Sequence, residues 1–107
     1  GQEAAVNYAL GTENAVFCLE LFVKSGLRAL DTSVFTGYIN SKNEDEVYSA
    51  ALSLAICGVD AGFSILEEFA TSTHPLSKNI DPFTDVLPDL KFVEDPRGRR
   101  LESKCRC

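Results

Sequence analysis

Four cysteines are the residues of this chain best suited to covalent chemistry. Cys105 and Cys107 are separated by one residue at the end of the sequence, whereas Cys18 and Cys57 lie within apolar stretches. A disulfide between Cys105 and Cys107 would be strained, because only one residue separates them. An even number of cysteines in a short chain is typical of an oxidised, secreted protein, so we expect all four to form disulfides.

Several pairings of these cysteines are open. The C-terminal cysteines either fold back onto Cys18 and Cys57 as an intrachain strap, or join one chain to another. A direct Cys18–Cys57 bridge requires a break in the first long helix, because an uninterrupted hairpin leaves the two about 13 Å out of register. Free thiols or a metal are a further reading, but C-x-C with one histidine lacks the spacing of a zinc site. We therefore predict no metal and no cofactor.

The remaining polar residues do not form a recognisable catalytic motif. His74 is the only histidine and directly precedes Pro75. Asp81, Asp85 and Asp89 recur every four residues, which is not the spacing of a calcium-binding loop. No serine-hydrolase, zinc-peptidase or phosphate-loop pattern is present. We therefore expect a non-enzymatic protein.

Charge is distributed unevenly along the chain. The net charge is −6, but residues 1–90 carry four basic and thirteen acidic side chains, and residues 91–107 carry six basic and three acidic ones. The acidic part should repel nucleic acid and anionic membranes. The basic part includes Arg97, Arg99 and Arg100 in the motif R-G-R-R. This motif resembles a protease processing site and equally suits a contact with an acidic partner or a heparin-type polyanion.

Apolar residues recur at spacings of three and four along two stretches, which predicts two long helices after a short first one in residues 3–10. Gly26 and the D-T-S sequence at 31–33 favour a break in the first stretch. The second helix should begin at Asn43, which with Glu46 resembles a capping box, and run to about Thr71. Its apolar face comprises Tyr48, Leu52, Ala55, Val59, Gly62, Leu66 and Phe69.

Gly58 and Gly62 form a G-x-x-x-G pattern within this second stretch. Small residues four apart allow another helix to approach closely, either within the core or at a subunit contact. The phenylalanines of the predicted helices are expected in the core, although they could also line a cavity for a small apolar ligand.

All four prolines lie in the last third of the chain. Asp81-Pro82 predicts the start of one helical turn, which should stop at Leu87 because Pro88 follows. The architecture predicted is therefore all-α: a small, disulfide-stabilised bundle of three to four helices in a single domain of residues 1–107. The helical body spans about 1–73, and an irregular, Pro-rich C-terminal arm spans about 74–107.

No apolar run is long enough to predict a transmembrane helix. The sequence contains no methionine and begins at Gly1, so we expect a secreted, extracellular product whose signal peptide was removed, with a fragment as the alternative. We expect it to bind protein, either by self-association through the C-terminal cysteines and the G-x-x-x-G helix, or as a monomeric, toxin- or effector-like ligand of a receptor through its basic arm. A carrier of small apolar ligands is a third hypothesis.

Overall fold

The structure is a computed structural model that describes residues 14–26, 31–94, 98 and 100–105. Its helices are α1 (Ala15–Lys24), α2 (Ser33–Thr36), α3 (Glu44–Ile56) and α4 (Asp60–Ala70). The 82–92 segment follows, with a π-helical turn (Pro82–Val86), an α-helical turn (Leu87–Asp89) and a 3-10 turn (Leu90–Phe92), and a last 3-10 turn spans Glu102–Lys104. The described part contains no β-strand, so the all-α prediction is confirmed. The predicted helix in residues 3–10 lies outside it.

Helix α3 is the centre of the fold. Residues 47–56 are all buried, with α1 packed along one side of the helix and α4 along another. Burial on several sides agrees with the apolar sequence of this helix. The core residues of α1 are Val16, Leu19 and Val23, which recur at the predicted helical spacing.

The predicted break after α1 is confirmed. Helix α1 ends at Lys24, and Gly26 adopts a φ of +112°, in the left-handed region that glycine enters without a steric penalty. The Gly26 N–H donates to the carbonyl oxygen of Val23 at 3.1 Å and so closes the helix. Helix α2 then begins after Asp31, whose carboxylate accepts the Ser33 N–H at 3.0 Å.

The prediction of one continuous helix from Asn43 to Thr71 is wrong. Gly58 has a φ of +84° and lies between α3 and α4. Its N–H donates to Ala55 O at 3.0 Å, and the Val59 N–H donates to Leu54 O at 2.9 Å. These are the two bonds of a Schellman motif, which ends a helix at a glycine. Helix α4 begins directly afterwards, so the chain turns sharply at Gly58.

Gly62 lies where α4 crosses α3. A Cβ atom at this position would overlap Leu54 Cβ and would lie 2.6 Å from both Ala51 O and Ala55 N. Because two of these neighbours are backbone atoms of α3, they cannot move aside as a side chain can. The absence of a side chain at residue 62 therefore sets the separation of the two central helices.

The start of α3 follows the predicted capping pattern with one addition. The Asn43 side chain accepts the N–H groups of Asp45 at 2.9 Å and Glu46 at 3.3 Å. Glu46 does not bond to the Asn43 N–H directly; instead Ser41 Oγ accepts that N–H at 3.0 Å and donates to Glu46 at 2.6 Å. The second half of the capping box is therefore completed through the Ser41 hydroxyl.

The 82–92 segment begins as predicted but does not end as predicted. Asp81 caps it by accepting the Phe83 N–H at 2.8 Å, and the Asp85 carboxylate accepts the Asp81 N–H at 2.7 Å. Helical backbone then continues through Pro88 to Phe92, so the expected stop at Leu87 is wrong. The Leu87 N–H bonds to Pro82 O, five residues earlier, so a wide π turn precedes the proline. Such a turn lets a helix accommodate local disruption without ending.

The close crossing at Gly62 predicts that substitution by alanine destabilises the protein at this glycine but not at Gly37. Gly62→Ala should lower the free energy of unfolding by up to about 2 kcal/mol, because an overpacking cost of about 1–3 kcal/mol outweighs the gain of about 1 kcal/mol in helix propensity. Gly37→Ala is the matched control, since Gly37 has a φ of −68° and its added Cβ would meet nothing within 4 Å. Urea unfolding of both variants tests this, and equal stabilities would contradict the close crossing.

Candidate functional site

Five polar side chains from three elements form one connected cluster beside the core, which we call the polar clamp: Glu20, Lys24, Tyr48, Ser49 and Asp89. Glu20 of α1 accepts the Ser49 hydroxyl at 2.6 Å with one oxygen and binds Lys24 Nζ at 2.9 Å with the other. Lys24 Nζ also lies 3.3 Å from Asp89 Oδ1, and the Tyr48 hydroxyl donates to Asp89 Oδ2 at 2.7 Å. The clamp therefore joins α1, α3 and the 82–92 segment.

Lys24 is the cation at the centre of the clamp. Its side chain is only 21% exposed, and the ammonium group also lies 5.3 Å from the centre of the Phe92 ring. Burial by itself would lower the pKa of Lys24, but the hydrogen bonds and charges of Glu20 and Asp89 outweigh it and raise the pKa above the ordinary value of 10.5. Lys24 therefore stays charged near neutral pH and is not an amine nucleophile there.

Tyr48 is held in its protonated form. Burial first, and then its hydrogen bond to Asp89 and the negative charges of Asp89, Glu20 and Asp85, raise the pKa of Tyr48 far above its ordinary value. The hydroxyl also lies 3.1 Å from the Asp85 carbonyl oxygen. Tyr48 consequently serves as a hydrogen-bond donor, and the clamp is suited to fixing helices together.

Sequence reasoning missed most of the clamp. The i, i+4 spacing of Glu20 and Lys24 on one helix is the only local signal. Ser49 lies in a mostly apolar stretch, and the spacing of Asp89 from Asp81 and Asp85 matches no binding motif. Since the bonds connect residues up to 65 positions apart, periodicity along one element cannot identify them.

The end of the described chain is docked on the helical body. Leu101 is 3% exposed and Cys105 is 7% exposed, and both belong to the hydrophobic core. Lys104 Nζ forms an ion pair with Glu67 of α4 at 3.3 Å. Arg100 is exposed immediately before Leu101. The other two arginines of the predicted basic site, Arg97 and Arg99, lie outside the described residues.

No disulfide joins cysteines in the part of the chain that the structure describes. Cys18 lies on α1 between two residues that contact Ser49, namely Val16 at 3.4 Å and Glu20 at 2.6 Å. Cys57 lies eight residues beyond Ser49, which corresponds to about 12 Å of helical rise. The break after α1 therefore does not bring Cys18 within disulfide distance of Cys57. Cys107 lies outside the described residues.

The other residues singled out in the sequence are not brought together with the clamp, apart from Asp85 and Asp89. Gly58 ends α3, and Gly62 lies against α3 within the same chain. The His74 ring stacks on Phe69 with ring centres 4.5 Å apart, and its Nδ1 accepts the Leu76 N–H at 3.1 Å. His74 therefore fixes the turn after α4.

The described residues contain neither a metal-binding cluster nor a membrane-spanning helix. Within that part of the chain, no three histidine, cysteine, aspartate or glutamate side chains are grouped so that they could hold a metal ion. None of the helices described there combines the length and the apolar character needed to span a membrane.

Comparisons of this chain with protein-family models, with curated proteins and with solved structures found no match.

The raised pKa of Tyr48 predicts a loss of stability in alkali. The unfolded chain releases this proton near the ordinary tyrosine pKa of 10.0, whereas the folded chain keeps it. The stabilisation is thus complete below about pH 10 and declines above it, by up to about 1.4 kcal/mol per pH unit. Tyr48→Phe should have a shallower decline between pH 10 and 11 in urea unfolding followed by circular dichroism. Lys24 contributes in the same direction and is unchanged in this comparison. Identical slopes in the two proteins would disprove the assignment.

The clamp should also be energetically coupled. In a double-mutant cycle of Tyr48→Phe and Asp89→Asn, we expect a coupling free energy of about 1–2 kcal/mol, because a hydrogen bond to a partly buried carboxylate is lost. The control cycle, Glu67→Gln with Lys104→Met, concerns a more exposed pair and should give under about 1 kcal/mol. Coupling in the first cycle no larger than in the control would show that the clamp does not act as a unit.

Proposed function

We propose that the protein is a secreted, non-enzymatic protein ligand, which binds an acidic surface of a partner protein through the basic motif at residues 97–100. Arg100 and Leu101 differ in solvent exposure, and this difference carries the proposal. The Arg100 side chain is exposed, while the next residue is buried in the core. The buried Leu101 therefore holds the adjacent cationic side chain of Arg100 at the surface.

The basic motif is attached to the body on both sides. Val93 packs against the hydrophobic core before the motif, and Leu101 packs into it afterwards. Only seven residues separate these two points. A short connection between fixed ends has less conformational entropy to lose on binding than a free terminus has. This attachment favours recognition of the motif at a defined position on the surface.

The described contacts favour a monomeric ligand over an assembly module. The assembly hypothesis depended on the Gly58 and Gly62 pattern and on the C-terminal cysteines, and Gly58 lies in the turn between α3 and α4 rather than on a helix face. Gly62 is covered by α3 of its own chain, and Cys105 is largely buried, with its Sγ 3.9 Å from Pro82 O. Neither position offers a free surface to a second chain, and Cys107 lies outside the described residues.

Electrostatics supports the same choice of partner. The motif carries three positive charges on a chain whose first ninety residues are strongly acidic. An acidic partner surface would be attracted to the motif and repelled by the rest of the molecule, which favours one orientation of binding. Such binding should weaken as salt concentration rises.

The experiment is a binding screen with a charge-reversed variant. Labelled wild-type protein is applied to an array of secreted proteins and receptor ectodomains, and each hit is measured again with the Arg97→Glu/Arg100→Glu variant. We expect the variant to lose at least about tenfold in affinity, because two attractive charges become repulsive. The matched control is Lys42→Glu/Lys78→Glu, which reverses two exposed lysines outside the motif.

The proposal requires that only the motif variant loses binding. Equal binding by the wild type and both variants would contradict it. Mass measurement of the denatured protein with and without reduction is the companion test, since a dimer that separates only on reduction would favour the assembly hypothesis instead.

A further inference from the structure

The peptide bond between Arg100 and Leu101 combines a protease recognition residue with a protected conformation. Arginine before the bond is the residue that trypsin-type serine proteases recognise through an acidic specificity pocket. The Arg100 side chain is exposed and accessible. Leu101, on the other side of the bond, is 3% exposed and has helical dihedrals, with φ −80° and ψ −27°. The recognition residue is thus presented while the bond itself is not extended.

The carbonyl oxygen of this bond already accepts a hydrogen bond within the protein. Arg100 O accepts a hydrogen bond from the Ser103 hydroxyl at 3.2 Å. A serine protease must place that oxygen among the hydrogen-bond donors of its oxyanion hole. The following carbonyl, Leu101 O, accepts the Lys104 N–H at 2.8 Å and closes the 3-10 turn. Attack on the bond therefore requires this turn to open.

Contacts with the body oppose such opening. Leu101 and Cys105 are buried in the hydrophobic core, and Lys104 is paired with Glu67 at 3.3 Å. These contacts lie on one short segment, residues 101–105, so they must be released together before the bond can extend. The fraction of molecules in which the segment is open then determines the rate of cleavage.

We propose that the Arg100–Leu101 bond is a latent cleavage site for an arginine-specific serine protease, kept closed by docking of residues 101–105 on the helical body. Cleavage is hydrolysis: water adds across the C–N bond, Arg100 acquires a carboxylate and Leu101 acquires an ammonium group. The protease is the only catalyst required. This inference does not depend on the proposed binding function, because its readout is cleavage alone.

The test is limited digestion of the full chain by an arginine-specific endoprotease. Samples taken over time are denatured, reduced and weighed by mass spectrometry, so that the fragment beginning at Leu101 is counted separately from other products. A synthetic peptide of residues 94–107 gives the rate for the unprotected bond. We expect the folded protein to be cut at this bond at least about tenfold more slowly than the peptide, because only the open fraction is cleaved.

Two variants examine the cause of protection. Leu101→Ala should accelerate cleavage roughly tenfold, because it removes most of the apolar side chain that residue 101 buries in the core. Its cleavage rate is divided by the rate for a peptide with the same substitution, so that any change in recognition by the protease cancels. Glu67→Gln leaves the recognition sequence intact and should accelerate cleavage about two- to threefold, as expected for loss of a partly exposed ion pair. Glu68→Gln is its matched control and should leave the rate unchanged.

Two results would overturn the proposal. One is a wild-type protein cut at this bond as fast as the peptide. The other is a Glu67→Gln variant, folded by circular dichroism, that is cut no faster than the Glu68→Gln control. The second comparison remains decisive if Leu101→Ala fails to fold.

Discussion

The close approach of α4 to α3 at Gly62 is the constraint on which the rest of the structure depends. Because no side chain separates the helices there, the faces of α3 and α4 can meet along the core. The position of α4 then determines what packs on it. Phe69 stacks against His74, the 82–92 segment packs on α4, and Glu67 receives Lys104. The absence of a side chain at Gly62 thus determines where the C-terminal arm docks.

Carboxylates at the contact between the helical body and the C-terminal arm hold the arm in place. Glu44 accepts the N–H groups of Lys78 at 2.7 Å and Asn79 at 3.0 Å. Lys24 and Tyr48 hold Asp89, and Glu67 holds Lys104. Bonds to charged acceptors are stronger than neutral ones. The acidic character of the body therefore has a structural role, because the carboxylates of Glu44 and Glu67 bind the arm of the same chain.

Local features of the fold were predictable from sequence, whereas contacts between distant elements were not. The spacing of Val16, Leu19 and Val23 and the caps at Asn43 and Asp81 correctly indicated helices and their starts, since these signals act within a few residues. The apolar pattern of α3 and α4 continued across Gly58 as though one helix were present. Apolar periodicity indicates which residues are buried, but it does not indicate the positive φ of Gly58. The polar clamp depends on three elements meeting, which no local pattern contains.

The body and the arm are held by different kinds of interaction, and this difference bears on how the molecule opens. Helix α3 buries ten consecutive residues, so exposing it would cost the hydrophobic stabilisation of the whole core. The end of the arm buries chiefly Leu101 and Cys105 and adds one ion pair. Segments with few buried apolar contacts open at lower free energy than the core does. Residues 101–105 can therefore detach from the helical body while its helices remain packed.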